Sequence, residues 1–142
     1  MEITFRDFEP NDLEAVRLLS YLTDDIVPDE PDMVVAVRDL DVIAAAGLTD
    51  KGNATSEIKP LMFKDGVYDD SLLANLIKTL EKHAKIETIQ VLIINVLRKD
   101  EDRQAVLESL GYNADPAVKQ SRTKYIEFRK EINYFRQHDL AL

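Results

Sequence analysis

Residues 89–97 read Ile-Gln-Val-Leu-Ile-Ile-Asn-Val-Leu, almost continuously apolar and without alternation. A run this short is too brief for a typical buried helix and falls far short of the roughly 20 apolar residues a bilayer crossing needs. It is therefore predicted to be a central strand, covered on both faces, with Asn95 as its one interruption. Covering two faces of a strand takes helices, and the chain supplies them on either side. Leu72, Leu73, Leu76, Ile77, Leu80 and Ala84 recur at helical spacing behind the acidic cap Asp69-Asp70-Ser71. Residues 100–110 form a further predicted helix, stopped at Gly111, where the left-handed conformation that ends helices suits glycine.

Upstream, residues 1–8 alternate loosely around Ile3, Phe5 and Phe8 and read as a first strand. Asn11 followed by Glu14 has capping-box spacing, and Leu13, Val16, Leu19 and Leu22 then continue a helix to about Thr23. The segment 24–32 carries two prolines and several carboxylates and is predicted to be an exposed loop. Residues 33–37 and 42–48 are short apolar runs separated by a hairpin-length turn, so these strands are antiparallel. Residues 57–63 follow as a strand in which Pro60 marks an edge or a bulge. Residues 124–132 alternate Ile126, Phe128 and Ile132 with charged side chains and form the last strand. The order is that of an α/β fold, a twisted mixed sheet with helices packed on it.

A length of 142 residues suits one domain, placed at residues 1–132 with a short tail over 133–142. Without cysteine there is no thiolate nucleophile, disulfide framework or thiolate-bound zinc, and a cytoplasmic location is the simple expectation. Twenty-seven acidic against 18 basic residues, a net charge of −9, repel a phosphate backbone and argue against nucleic-acid binding. No apolar run is long enough for a membrane partner. His83 and His138 show no short metal-ligating spacing, so no metal is expected. There is no nucleophile-elbow motif either.

Element order and several local strings resemble the GNAT superfamily of acyl-CoA-dependent N-acyltransferases over nearly the whole of residues 1–132. Phe5-Arg6-Asp7 leading to Asn11-Asp12-Leu13-Glu14 looks like that family's opening strand and helix. Residues 72–84 look like the helix after its cofactor loop, and Leu107-Glu108-Ser109-Leu110-Gly111-Tyr112 like its helix ending in Leu-Gly-Phe. The resemblance implies a GNAT-like fold with helices on both faces of the sheet. It also implies acetyl-CoA as cofactor, held in a notch between the fourth and fifth strands.

Residue by residue, the resemblance places backbone N–H groups of Leu61, Met62 and Phe63 on the acyl carbonyl. It puts Lys64, Gly66 and Ser71 in the diphosphate loop and Asn95 near the cofactor. Family members place two glycines in that loop so that backbone N–H groups approach the anion; here Val67 and Asp69 stand at those positions. The family's tyrosine four residues before the helix-ending glycine is Leu107 here, so Tyr68 or Tyr112 is the candidate proton donor. Glu57, or else Asp50, is the candidate base for the acceptor ammonium. Glu57 also reads as a plain strand residue paired with Lys59. Asn95 meets either a ligand or a bulge, and the carboxylates of 24–32 either attract a cationic amine or are simply solvated. The implied activity is acetyl transfer to a small-molecule or peptide amine by a monomer or homodimer. The alternative is a non-catalytic GNAT-fold binding or structural module, of the kind found among phage-encoded relatives.

Overall fold

The computed structural model describes residues 2–23, 25–117 and 122–132; the tail over 133–142 lies outside the described residues. In chain order the elements are β1 (Thr4–Asp7), a 3₁₀ turn (Pro10–Asp12), α1 (Leu13–Ser20), β2 (Met33–Arg38), β3 (Asp41–Gly52) and β4 (Thr55–Phe63). Then come α2 (Asp70–Ile86), β5 (Val91–Leu97), α3 (Glu101–Ser109), β6 (Asn113–Ala114) and β7 (Tyr125–Glu131). The strands form one seven-stranded sheet in the order β1-β2-β3-β4-β5-β7-β6. β1 to β4 pair antiparallel, β4 and β5 pair parallel, and β5, β7 and β6 pair antiparallel again. No helix among the described residues is long and apolar enough to cross a membrane.

β2 is buried on both faces over its first four residues, because successive side chains meet different helices. Val34 and Ala36 join the larger core under α2, with Leu73, Leu76, Ile77 and Leu80. Met33 and Val35 join a smaller core under α1, with Val16 and Leu19. The small side chains of Ala44, Ala45 and Ala46 on β3, all fully buried, let both helices approach the sheet closely.

The start of α1 differs from the sequence-based cap at Asn11. Arg6 on β1 forms a two-pronged ion pair with Asp12, at 2.7 and 3.0 Å, and Asp12 also accepts the backbone N–H of Glu9 at 2.8 Å. The planar guanidinium can satisfy both carboxylate oxygens, which outweighs a local amide cap. The Arg6 hydrogen bonds hold the Asp12 carboxyl below the usual carboxylate range, against an opposing effect of burial. Its pKa is lower folded than unfolded, so this stabilisation is present above the unfolded value near 3.9 and is lost as pH falls through the folded value. Asp12→Asn is expected to cost about 1 to 3 kcal/mol at pH 7. In urea titrations the variant and the parent should converge towards pH 3, and an equal gap at both pH values would contradict the linkage.

Pro60 sits in a bulge. Ala46 pairs with Leu61 and Leu48 with Ile58, so Gly47 alone faces Lys59 and Pro60. Proline has no N–H to give a ladder, and the extra residue bends β4 at this point. A Cβ on Gly47 would lie 2.9 Å from Pro60 Cδ and 3.2 Å from the Lys59 carbonyl oxygen. Gly47→Ala is thus expected to destabilise by about 1 to 3 kcal/mol, as overpacking does against rigid neighbours. A urea midpoint within error of the parent would mean that the bulge yields.

β5 departs from the expectation of burial on both faces. Leu92, Ile94 and Val96 are buried in the main core and Ile93 is buried on the other face, but Val91 is only half-buried and Asn95 is exposed. For Asn95 the cause is the departure of β4. Parallel pairing joins only residues 55–57 of β4 to residues 91–93 of β5. The two-residue β6 went unread in the sequence, being too short to carry any periodicity.

Candidate active site

Beyond Glu57, β4 turns away at its bulge while β5 runs straight on beside β7, and the sheet opens into a notch. Its cavity of about 660 Å³ is lined by Glu57, Leu61, Asn95, Asp100, Arg103 and Tyr125, among others. The Lys64 N–H bonds to the Ile43 carbonyl on β3 at 2.8 Å. By strand alternation the Met62 N–H also points to β3, whereas those of Leu61 and Phe63 point towards the notch. Met62 is accordingly corrected as a notch donor, and its side chain is buried beneath α1.

Glu57 is the carboxylate at the fork. Its side chain is 15% exposed, accepts a hydrogen bond from Asn95 Nδ2 at 3.2 Å, and lies 3.8 Å from Lys51 Nζ. The expected pairing with Lys59 gives way to this one with Lys51, across the β3–β4 hairpin. Asn95 finds neither a buried bulge nor a core partner. It faces the open side of the notch and orients the carboxylate.

Arg103, which also lines the notch, packs against Phe63 and Tyr68. The two rings meet edge to face with centroids 4.9 Å apart, and the Arg103 guanidinium lies 5.1 Å from the Tyr68 centroid and 5.7 Å from that of Phe63. Burial pushes the Tyr68 hydroxyl above its ordinary pKa, against the opposing pull of Arg103, so it stays protonated at neutral pH. Arg103 went unnoticed in the sequence. A cation in the first turn of α3 works against the helix dipole, and that misfit was the available signal. Its Nε is buried without a hydrogen-bond partner.

The loop over 64–71 is committed to local structure. Lys64 forms an ion pair with Asp41 and does not reach over the loop. Asp69 caps α2 by accepting the Leu72 N–H at 2.7 Å. Gly66 adopts a left-handed φ of +78° in open space, and exposed Ser71 lies beside the Asn75 amide.

No family profile and no curated protein matches the sequence. Solved structures do match the fold. The ribosomal-protein-alanine N-acetyltransferase of Brucella melitensis aligns over 90% of this chain and 99% of its own, with a TM-score of 0.73 at 16% identity. The ribosomal-protein-S18-alanine N-acetyltransferase of Escherichia coli aligns over 92% and 94%, at 0.71 and 14%. The PaiA N-acetyltransferase of Thermoplasma acidophilum, solved with coenzyme A, aligns over 92% and 99%, at 0.69 and 14%. The chain has the GNAT acetyltransferase fold.

Two of the candidate residues lie away from the notch of this GNAT fold. Tyr112 is fully buried beneath α2, where its hydroxyl donates to Glu81 at 2.9 Å and burial drives its pKa far up. Lys130 completes that buried cluster, at 3.0 and 3.1 Å from the Glu81 oxygens. Tyr112 is thus a core residue and no proton donor to the notch. Asp50 pairs in register with Ser56, the neighbour of Glu57, so its side chain lies on the other face of the sheet. There it accepts the Gly52 N–H at 2.9 Å and closes the β3–β4 turn.

Proposed function

We propose that this chain is an acetyl-CoA-dependent N-acetyltransferase acting on a small-molecule or peptide amine, with Glu57 as general base. The observation that carries the reading is the Glu57–Asn95 pair, set on the open side of the gap between β4 and β5. Bound acetyl-CoA would supply a thioester activated towards amines. The notch suits an extended acyl arm, since the Leu61 and Phe63 N–H groups face it free of β5. Glu57 accepts the proton of the acceptor ammonium at a carboxylate oxygen held by Asn95 Nδ2. Asp25 also lines the notch and adds negative potential that draws a cationic amine inwards, whereas Asp100 caps α3 and lies 3.7 Å from Arg103 Nε. Tyr68, packed on Arg103 with its hydroxyl donating to Asp70 at 3.3 Å, would be the residue to return a proton to the leaving thiolate.

The anionic end of the cofactor meets fewer donors than a glycine-rich loop offers, because Asp69 already caps α2 and Lys64 is paired with Asp41. Arg103 would be the cation there. Acetyl-CoA is therefore expected to bind weakly, with Kd near 1 mM, about 4.1 kcal/mol. Arg103→Ala should raise Kd roughly tenfold or more, the value of a charge-assisted contact. Calorimetry on both proteins checks the affinity, and amine-dependent release of free thiol at saturating acetyl-CoA checks the reaction. The same spent donors favour the second reading, a non-catalytic GNAT-fold module. Absence of both binding and thiol release at 10-fold higher acetyl-CoA, about 10 mM on the same scale, would establish it.

A further inference from the structure

His83, near the C-terminal end of α2, is surrounded by carboxylates from three parts of the chain. Its Nδ1 lies 3.0 Å from Asp7 at the end of β1. Its Nε2 contacts Asp32, just before β2, and lies 3.0 Å from Glu87, the residue that ends α2. Asp32, His83 and Glu87 each aim one donor atom into a common space, all within 4.8 Å of one another. Among the described residues no lysine or arginine pairs with the side chains of Asp7, Asp32 or Glu87.

The ring makes this arrangement specific. When Nδ1–H donates to Asp7, the neutral imidazole turns the Nε2 lone pair towards two carboxylate oxygens, which demands a positive charge between them. A carboxylate on the second ring nitrogen is also the usual outer support of a metal-bound histidine, because it fixes the tautomer and raises ligand basicity. A separate cavity of about 410 Å³ reaches the group from solvent, lined by Asp32, Asp50, Ser56 and Glu87. It gives an ion a path and room for water.

We propose that His83 Nε2, Asp32 and Glu87 bind a divalent transition metal of the zinc class, with Asp7 as the supporting carboxylate. An imidazole with two carboxylates suits zinc better than the all-oxygen shells of magnesium or calcium, and three protein donors leave a position for water. Bonds of about 2.0 to 2.1 Å require donors roughly 3.3 Å apart. The contacts are tighter than that, but the Asp32 and Glu87 side chains are each 38% exposed and free to swing outwards. The site lies at the opposite face of the sheet from Glu57 and stands independently of the acetyl-transfer reading. Sequence spacing misses it because Asp32 and His83 are 51 residues apart.

Zinc chloride titrated calorimetrically into the full chain, stripped with chelator and free of a histidine tag, tests this. The expected result is one saturable ion per chain at micromolar Kd. Zinc at 100 times that Kd adds about 2.7 kcal/mol and should raise the melting midpoint by roughly 5 to 11 °C. Binding should vanish in His83→Gln, and should weaken at least 10-fold in Glu87→Gln and about 10- to 100-fold in Asp7→Asn. Glu87 is exposed at a helix end, so that variant folds even where His83→Gln does not. Cobalt(II) should give visible ligand-field bands in the parent and none in Glu87→Gln. No saturable binding, or binding unaltered in Glu87→Gln and Asp7→Asn, overturns the proposal and leaves a proton as the cation shared by the cluster.

Discussion

Glu57→Gln is expected to lower kcat/KM for amine acetylation by roughly 10²- to 10⁴-fold, the range a positioned general base contributes. Glutamine keeps the size of the side chain and an oxygen to accept from Asn95 Nδ2, so the fork between β4 and β5 should stay intact. What is lost is the ability to take a proton. The loss should appear mainly in kcat, and calorimetric affinity for acetyl-CoA should be unchanged within error. Residual activity should rise with pH as more of the acceptor amine is free base in solution. A variant with parental kcat would remove Glu57 from the chemistry, and a parallel loss of cofactor affinity would recast it as a binding residue.

The second large effect belongs to α2. Leu76 is fully buried among Val34, Ile43 and Leu80, so Leu76→Ala removes apolar area and leaves a cavity that the close-packed core fills only in part. The expected cost is about 2 to 5 kcal/mol, read as a lower urea midpoint with an unchanged slope. Leu18, on the outer side of α1, is 59% exposed and provides the contrast. Leu18→Ala should fall within about 0.5 kcal/mol of the parent. Equal effects at the two positions would contradict the assignment of the core.

How far the chain could be read follows from which forces act locally. α2 was legible because one apolar stripe and one acidic cap agree, and Asp69 does cap it. The β2–β3 hairpin was legible because its turn is short, with Asp39 and Leu40 both at positive φ. Glu57 was singled out as the carboxylate of its strand, and it lies on the notch. Asn95 was read as interior because periodicity counts neighbours along a strand and is blind to a neighbouring strand that leaves. Tyr112 and Asp50 were placed near the chemistry because their faces depend on register and helix packing, which are set over long range. Arg103 and the carboxylates around His83 depend on tertiary contact altogether.

The three-residue parallel seam between β4 and β5 also shapes how this molecule moves. On one side stands a four-stranded leaf and on the other a three-stranded one, joined by this short pairing and by a shared apolar core under α2 and α3. Past Glu57 the two leaves owe each other no ladder bond. The jaws of the notch can therefore widen or narrow by sliding side chains over one another, at no cost in backbone hydrogen bonds. A guest that bridges the jaws would knit the leaves together, and amide exchange along residues 91–93 would slow first.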